Sequence, residues 1–412
     1  MCMNPAPHEK PAIDWRLFPC FGKGLLDNDT YNLLMMQFVF FYYRDTKGRY
    51  KLTDRGKTPM PPEFELAYRK QIRMYSEYIF EPDEIKWLRT LGLFKEEFLE
   101  FLKTFRLPTS GITLQTNEAG TGVDVWYEGY WMDYILLEVP LLYMRSELKY
   151  EMLGEEGNDE IFWEHLKRKV QDMNEAGCHV IDMSPRRRRS FEYELKMVKY
   201  YHLHAPETFL GTSNMHIAYI LGIQPKGTFA HQLPMALQAI HGTGKAYEVL
   251  LEKWKELYGD KLRVALTDTF TTEFFLKMLK PKMRDHYIIF RQDSGDPREV
   301  AWQYINYWRE HGIDPKTRWI IFSDSLDDKK AIALQKEFGP ITNVLFGIGT
   351  FLGNDCGLTP LNIVIKLTHI LVNGVWVEVV KESDSAGKHH GSAEALERTR
   401  IEKEEALALL AT

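Results

Sequence analysis

The sequence has few cysteines and no long apolar run free of charge. Among its 412 residues only Cys2, Cys20, Cys178 and Cys356 are cysteines, and none forms a CxxC pair or stands at a metal-ligand spacing. This argues against a disulfide framework and against a Cys/His zinc site. No stretch is long enough for a membrane helix, and the N-terminal residues lack the apolar run of a signal peptide. We therefore expect a cytoplasmic protein that makes no membrane contact.

The chain also lacks an excess of basic residues. It contains 52 Lys and Arg against 58 Asp and Glu, for a formal net charge of -6. A general nucleic-acid binder carries a basic excess over the domain or along one face, so we predict no nucleic-acid partner. The one local exception is the run "RRRRS" at 186–190. Because this run follows a predicted strand, a role in substrate binding is favoured over a solvated or nucleic-acid-binding patch.

Beyond residue 160 the chain repeats one pattern, in which a segment with helical spacing precedes a short apolar run that ends in polar or glycine residues. The seven short runs are "HVIDMS", "TFLGTSN", "KGTFAH", "RVALTD", "HYIIFRQDSG", "WIIFSDSL" and "NVLFGIGT". Consecutive α-to-β steps are typical of a parallel sheet, and this number of steps predicts closure into a barrel. The predicted fold class is α/β, with an irregular TIM-like α/β barrel.

The segments on either side of the barrel predict an additional N-terminal α+β domain. Residues 61–105 have helical spacing, and residues 111–131 are rich in Thr, Val and aromatics with glycine punctuation. Near the C-terminus, Asn373-Gly374 between two apolar runs predicts a hairpin. We place the N-terminal domain at 1–150, the barrel at 151–365, and the C-terminal hairpin and tail, which would pack on the N-terminal domain, at 366–412.

Polar and charged residues recur where the predicted barrel strands end. Active sites of TIM barrels lie on the loops at the carboxyl ends of the strands, so these residues are candidates for the site. An Asp or Ser there can also be a helix N-cap, and a lone His is often a core residue. Neither reading explains an arginine, a histidine and a further arginine at one edge. The candidates are Asp182, Ser184, Arg186, Arg188, Thr212, Ser213, Asn214, His231, Asp268, Arg291, Asp293, Ser294, Ser323, Asp324, Ser325, Gly347, Gly349 and Thr350.

These residue types predict a substrate that carries phosphate, a sugar and an acid. The turn "FGIGTFLGND" can approach a phosphate through backbone N–H groups, and Thr350 adds a hydroxyl. The carboxylates of Asp293 and Asp324 suit sugar hydroxyls or Mg²⁺ held through water. The arginines at these strand ends can bind carboxylate or phosphate oxygens in a two-pronged fashion.

An ordered set of motifs resembles the nicotinate phosphoribosyltransferases, a family of type II phosphoribosyltransferases. The motifs are "LLDNDTYNLLMM", "LLEVPLLYMRSELKY", "GTSN", "GTFAHQLPMA", "LTDTF", "RQDSGDP", "FSDSLD" and "FGIGTFLGND", which span nearly the whole chain. The resemblance implies transfer of the ribosyl phosphate of phosphoribosyl pyrophosphate (PRPP) to the ring nitrogen of nicotinic acid, giving nicotinate mononucleotide and pyrophosphate for NAD salvage. It also implies ATP as a co-substrate that phosphorylates a histidine, Mg²⁺ as a cofactor, and a homodimer with shared active sites.

The resemblance implies roles for individual residues. His231 matches the phosphorylated histidine, and Asp268 is the candidate that orients its ring. In the nicotinamide-using enzymes an aspartate at the corresponding position accepts a hydrogen bond from the carboxamide of the substrate. This chain has Ser213 there, whose hydroxyl can donate to a carboxylate, so nicotinic acid is favoured over nicotinamide. The other implied roles are ribose binding by Asp293 and Asp324, product phosphate binding by Gly349 and Thr350, charge stabilisation near the new bond by Arg291, and stacking of Tyr31 on the pyridine ring across the dimer interface; Arg186, Arg188, Thr212 and Asn214 complete the substrate-binding set.

Two departures from the family pattern keep alternatives open. The family usually has glutamate directly after the histidine, where this chain has Gln232, and its aromatic-glycine-threonine segment is here Met183-Ser184-Pro185. The alternatives are a catalytically silent relative that binds ligands or regulates, and a sister enzyme that uses nicotinamide or quinolinate. A metal-dependent barrel hydrolase is less credible, because no His/Asp ligand set is apparent at the strand ends.

Overall fold

The computed structural model describes residues 13–118, 120, 122–385 and 387–410, so Cys2 lies outside the described residues. The helices are α1 (Thr30–Tyr42), α2 (Phe64–Ser76), α3 (Pro82–Leu91), α4 (Glu96–Thr104), α5 (Trp131–Tyr134), α6 (Glu138–Leu153), α7 (Asp159–Glu175), α8 (Phe191–His204), α9 (Met215–Leu221), α10 (Gln232–His241), α11 (Thr243–Tyr258), α12 (Thr272–Met278), α13 (Pro281–His286), α14 (Pro297–Glu310), α15 (Asp328–Phe338), α16 (Thr350–Gly353) and α17 (Ala393–Leu410). The strands are β1 (Lys47–Asp54), β2 (Ile112–Thr116), β3 (Val123–Tyr130), β4 (Val180–Asp182), β5 (Phe209–Thr212), β6 (Val264–Leu266), β7 (Ile289–Gln292), β8 (Trp319–Phe322), β9 (Asn343–Ile348), β10 (Ile363–Val372) and β11 (Val375–Glu378). Within this described part of the chain, no helix is both long and apolar enough to cross a membrane.

The N-terminal helices form where the apolar spacing predicts them. Helix α3 begins with Pro82 at its first position and a capping box in which the side chains of Glu81 and Glu84 satisfy each other's backbone N–H groups. It ends at Gly92, whose φ of 63° is the left-handed conformation that glycine adopts without strain. Its buried residues, which include Ile85 and Leu88, lie on one face.

An antiparallel sheet joins the two ends of the chain. Its strand order is β11-β10-β1-β3-β2, so the C-terminal strand β10 pairs with β1 near the N-terminus. Strands β10 and β11 are connected by Asn373 and Gly374, both with positive φ, as a two-residue hairpin requires. The prediction that the C-terminal segment joins the N-terminal domain is confirmed.

A second sheet is parallel and has the strand order β5-β4-β9-β8-β7-β6. This confirms the α/β barrel class, but one of the seven predicted strands is wrong. Residues 226–230 form no strand, and only a single parallel bridge joins Thr212 to Pro225. The segment packs against α1 instead, where a Cβ on Gly227 would stand 2.8 Å from Thr30 Cβ and the Ala230 N–H lies 3.3 Å from Met35 Sδ. The barrel is therefore interrupted between β5 and β6.

Two buried helices connect the sheets. Residues Thr30–Val39 of α1 and most residues of α6 are buried around their whole circumference rather than along one stripe. Helix α6 contacts both β10 and the turn at Pro185–Arg187 that follows β4. The antiparallel sheet is thereby held over the carboxyl edge of the barrel.

Candidate active site

A cavity of about 670 Å³ lies at the carboxyl edge of the parallel sheet. One wall comes from barrel loops and the other from β1, β10 and the segment after β11. The lining includes His231, Arg186, Asp293, Asp324, Gly349 and Thr350 from the predicted set, together with Tyr50, Arg55, Glu138, Met183, Arg187, Gln232, Lys366, Lys381 and Lys388. Both domains of one chain thus enclose the cavity.

His231 stands at the N-terminal end of α10, in the gap of the barrel. Its Nε2 lies 2.8 Å from Asp268 Oδ1, and its Nδ1 faces Asp293 Oδ2 at 3.7 Å. The side chain is 17% exposed, so it reaches the cavity. Burial lowers the pKa of His231 below its ordinary value, although Asp268 opposes this effect. The imidazole is therefore neutral, with Nε2 held by Asp268 and Nδ1 accessible from the cavity.

Asp268 is held from three sides at the end of β6. Besides His231, Ser294 donates a hydrogen bond to its Oδ2 at 2.6 Å, and Lys381 Nζ lies 3.0 Å from the same oxygen. Burial alone would raise the pKa of Asp268, but the charges of His231 and Lys381 and these hydrogen bonds keep it well below its usual range. An ionised carboxylate only accepts, so the ring proton of His231 sits on Nε2. The structure brings Asp268 to the place expected of an orienting residue.

Asp293 and Arg291 form a second pair, at the end of β7. Arg291 Nη2 donates to Asp293 Oδ1 at 3.0 Å, and Ser323 donates to the same oxygen at 2.7 Å. Burial opposes ionisation of Asp293, but Arg291 and His231 lower its pKa. Asp293 therefore presents a carboxylate to the cavity, with Arg291 behind it.

Arg186 lines the other end of the cavity. Its Nη1 lies 3.8 Å from Glu138 Oε1, and Tyr31 and Asp29 interact with it from α1 and its N-cap. Burial raises the pKa of Asp29 to about 7. Tyr31 therefore lies beside Glu138 and Arg186 of its own chain. Tyr31 is not among the residues that line the cavity, and the expectation that it acts across a dimer interface stays a prediction.

Besides Tyr31, four residues of the predicted substrate-binding set do not line the cavity. Arg188 is fully buried between three carboxylates, because the turn after Pro185 directs it away from Arg186. Thr212 donates to Asp182, and Asn214 caps α9 through its Oδ1. Ser213 is fully buried, and its hydroxyl has no hydrogen-bond partner. For these four the direct contact with substrate is corrected, and the Ser213 argument for acid over amide loses its support.

The glycines near the end of β9 and directly after it lie against the Met183 segment. A Cβ on Gly347 would stand 2.7 Å from Met183 Sδ, and one on Gly349 would stand 2.9 Å from the Met183 carbonyl oxygen. Because a Cβ at Gly349 would meet backbone, glycine is required there, and Gly349 and Thr350 lie on the cavity wall. On the facing side, Asp324 is paired with Lys388 at 2.7 Å, so it meets the cavity as half of an ion pair.

Sequence reasoning missed five cations of the cavity wall, which are Arg55, Arg187, Lys366, Lys381 and Lys388. Three of them belong to β10 or to the segment after β11. The predicted hairpin placed this segment on the N-terminal domain, but no local pattern shows that its lysines reach the barrel edge. Burial and the charges of Arg55 and Lys381 lower the pKa of Lys366 to about 8.

Gln232 occupies the position that departs from the family pattern. Its Oε1 accepts hydrogen bonds from the Tyr50 hydroxyl at 2.9 Å and from Trp131 Nε1 at 3.3 Å. These bonds need an acceptor oxygen and no charge, so glutamine meets them as well as glutamate does. The residue links the antiparallel sheet to α10 directly beside His231.

The acidic groups near His231 bear on metal binding. Ligand atoms of His231, Asp268 and Asp293 lie within 4.8 Å of one another, so a His/Asp set does stand at the strand ends, contrary to the sequence-based expectation. Both Asp268 oxygens are already engaged, and imidazole is a poor ligand for Mg²⁺. Only Asp293 has a free oxygen there, which fits a Mg²⁺ ion held mainly by water and substrate phosphates.

Comparison with known proteins covers almost the whole chain. The pattern of the nicotinate phosphoribosyltransferase family matches residues 178–407, and that of the family's N-terminal domain matches residues 26–146. A nicotinate phosphoribosyltransferase of Chromohalobacter salexigens is 34% identical over 377 residues, which cover 91% of this chain and 96% of the relative. One from Escherichia coli O127:H6 is 36% identical over 374 residues, covering 89% and 91%.

Solved structures agree with these relatives. The crystal structure of nicotinate phosphoribosyltransferase from Porphyromonas gingivalis superposes with a TM-score of 0.89 at 31% identity, covering 94% of this chain and 100% of that one. The enzyme from Vibrio cholerae gives a TM-score of 0.87 at 29% identity, covering 97% and 99%. Both sheets therefore belong to a fold that these enzymes share.

Proposed function

This chain belongs to the nicotinate phosphoribosyltransferase family, and from that premise we propose that it couples its reaction to ATP hydrolysis through phosphorylation of His231. The enzyme forms nicotinate mononucleotide and pyrophosphate from nicotinic acid and PRPP in NAD salvage. The observation that carries the proposal is the pairing of His231 Nε2 with Asp268 at 2.8 Å, which leaves Nδ1 open to the cavity.

The phosphoryl transfer to His231 balances with the groups present. The lone pair on Nδ1 attacks the terminal phosphorus of ATP, the bond from that phosphorus to the bridging oxygen breaks, and ADP leaves. Water later attacks the same phosphorus, so that phosphate departs and Nδ1 regains its lone pair. The ring proton stays on Nε2 throughout, where the Asp268 carboxylate stabilises the positive charge that the ring gains.

The cations of the cavity wall support binding of phosphate-bearing substrates. Six cationic side chains line the cavity, against the carboxylates of Glu138, Asp293 and Asp324. Because Lys388 already neutralises Asp324, the wall carries a net positive charge that suits PRPP and ATP. The product phosphate would lie against Gly349 and Thr350. When bound, Mg²⁺ would neutralise pyrophosphate as it leaves, with Asp293 as its protein contact.

The remaining assignments follow the shape of the cavity. Arg186 would hold the carboxylate of nicotinic acid beside the ring of Tyr31, and Arg291 would stabilise charge through Asp293. Asp293 and Asp324 would contact the ribose. A homodimer with shared active sites stays a prediction, and the molar mass in solution from light scattering would test the dimer.

The experiment that tests the proposal measures nicotinate mononucleotide formation with and without ATP. Wild-type protein should turn over faster with ATP and should carry an acid-labile phosphate. His231→Ala should lose the stimulation and the phosphate but keep the basal rate, because ribosyl transfer needs the cations and Asp293 rather than the imidazole. Product formation that ATP stimulates equally in His231→Ala would contradict the phosphohistidine. No product under any condition would favour the silent relative.

The lowered pKa of Lys366 predicts a pH dependence of PRPP binding. As pH rises through about 8, Lys366 loses its proton and with it an attraction for phosphate. The protonated fraction falls about tenfold between pH 7 and pH 9, so KM for PRPP should rise by about that factor. Lys366→Met should have the high KM at both pH values. A pH profile in Lys366→Met identical to that of wild type would assign the titration to another group.

A further inference from the structure

Arg188, expected from the sequence to bind substrate, instead forms the centre of a buried ionic cluster. Its Nη1 and Nη2 lie 2.6 and 2.8 Å from the two oxygens of Asp27, its Nε lies 2.7 Å from Glu147 Oε1, and Nη1 lies 3.0 Å from Glu194 Oε2. Asn214 Nδ2 donates to Asp27 Oδ1 at 2.9 Å and to Glu194 Oε2 at 3.2 Å. We call these five residues the Arg188 clasp.

The clasp joins segments that are distant in the sequence. Asp27 precedes α1 and Glu147 lies in α6, whereas Glu194 lies in α8 and Asn214 is the N-cap of α9. The guanidinium also stacks on a ring of α6, 3.9 Å from the centroid of Tyr143. One side chain therefore ties the N-terminal domain to the barrel.

The clasp is close in sequence to Arg186, which lines the cavity, and to Tyr31, which lies beside Arg186. Arg188 is two residues from Arg186, and the intervening Arg187 anchors the turn through a hydrogen bond from its Nε to the Ile363 carbonyl at 3.0 Å. Asp27 is four residues before Tyr31, and the Thr30 N–H bonds the Ser213 carbonyl at 2.8 Å beside Asn214. Fixing Arg188 against Asp27 fixes Arg186 against Tyr31.

The energetics of the clasp argue for a geometric role. Asp27, Arg188 and Glu194 have side chains with no exposed surface, and Glu147 is 4% exposed. Burying such groups costs several kcal/mol per ion before their attraction is counted, so apolar packing of the same volume gives comparable or greater stability. One guanidinium also faces three carboxylates, and burial raises the pKa of Glu147 to about 7. Stability alone does not account for this arrangement, whereas fixed directionality does.

We propose that the Arg188 clasp is a positioning device for the nicotinic acid end of the site, setting the distance between Arg186 and Tyr31 without touching substrate. The inference rests on the proposed role of Arg186 as the carboxylate-binding residue. Under this proposal Arg188 positions Arg186, whereas Arg186 itself contacts the substrate.

Arg188→Lys tests the proposal, because lysine keeps the charge but cannot make the paired bonds to Asp27. KM for nicotinic acid should rise about tenfold or more, whereas KM for PRPP and kcat should change less than about threefold. Glu147→Gln keeps the shape and the fold and should raise the same KM by about threefold. If Arg188→Lys does not fold, the KM of Glu147→Gln for nicotinic acid tests the proposal instead.

The matched control is Tyr287→Phe, which removes a buried hydrogen bond to the Leu251 carbonyl at the opposite end of β7. It should lower Tm and leave both KM values unchanged. Clasp variants that lower Tm in the same way with unchanged KM for nicotinic acid would overturn the proposal, as would a parallel rise of both KM values. Arg186→Lys distinguishes failure of the clasp proposal from failure of the Arg186 assignment on which it rests. An unchanged KM for nicotinic acid in Arg186→Lys would contradict the role of Arg186 itself. A raised KM in Arg186→Lys, together with an unchanged KM in the clasp variants, would contradict only the positioning role of the clasp.

Discussion

Replacing Asp268 with asparagine should lower the rate of His231 phosphorylation by ATP by about 10³ to 10⁴-fold, close to the effect of the same change behind a catalytic histidine in serine proteases. The amide that Asp268→Asn introduces would donate to His231 Nε2, where the carboxylate now accepts at 2.8 Å. The ring proton would then move to Nδ1 and occupy the nitrogen that attacks ATP. The shape of the site would be kept, while the tautomer would be wrong.

Three measurements check this outcome. Acid-labile phosphate on the Asp268→Asn chain should be undetectable, ¹⁵N chemical shifts of the His231 ring should show protonation at Nδ1, and the rate without ATP should fall far less than the rate with it. The control is Ser294→Ala, which removes a hydrogen bond from the other oxygen of Asp268. Because it leaves the carboxylate charge and the bond to His231 in place, its effect should stay within about tenfold. An Asp268→Asn protein with wild-type phosphorylation would contradict the assignment of Nδ1.

The pairing of His231 with Asp268 illustrates what the sequence could predict. Parallel strands bring their carboxyl ends to one edge, so residues that follow successive strands can be placed together without knowing their contacts. His231 came to that edge even though its own strand did not form. The reason is that the segment is fixed by packing on α1 and by the bridge of Thr212 to Pro225, not by a ladder.

The cations of the cavity show what could not be predicted. Lys366 lies in β10, which pairs with β1 more than 300 residues earlier, for example at Lys51. Such a pairing leaves no periodic signal that says which face lies over the barrel. The prediction that both Arg186 and Arg188 bind substrate failed for a different reason. Its members have equal local propensity, and only the turn at Pro185–Arg187 decides that Arg186 meets the cavity while Arg188 meets Asp27.

Changing Arg186 to leucine should raise KM for nicotinic acid and lower kcat/KM by about 10² to 10³-fold, as expected when one partner of a charged, partly desolvated pair is removed. Arg186 is the cavity arginine that lies beside Tyr31 and Glu138. Without it, the substrate carboxylate would lose its charged partner beside two carboxyl groups, those of Glu138 and Asp29, whose pKa values burial raises. The loss should therefore depend on the negative charge of the substrate.

Nicotinamide supplies the comparison that isolates this charge. It has the same ring and no carboxylate, so the poor activity expected of the wild type with nicotinamide should change less than about fivefold in Arg186→Leu. KM for PRPP should also be nearly unchanged, because in the proposed arrangement its phosphates would meet the lysines that line the cavity from β10 and the segment after β11. Arg186→Lys should recover part of the loss, since it restores charge but not the paired geometry. Equal losses for the acid and the amide would show that Arg186 serves ribosyl transfer rather than recognition of the acid.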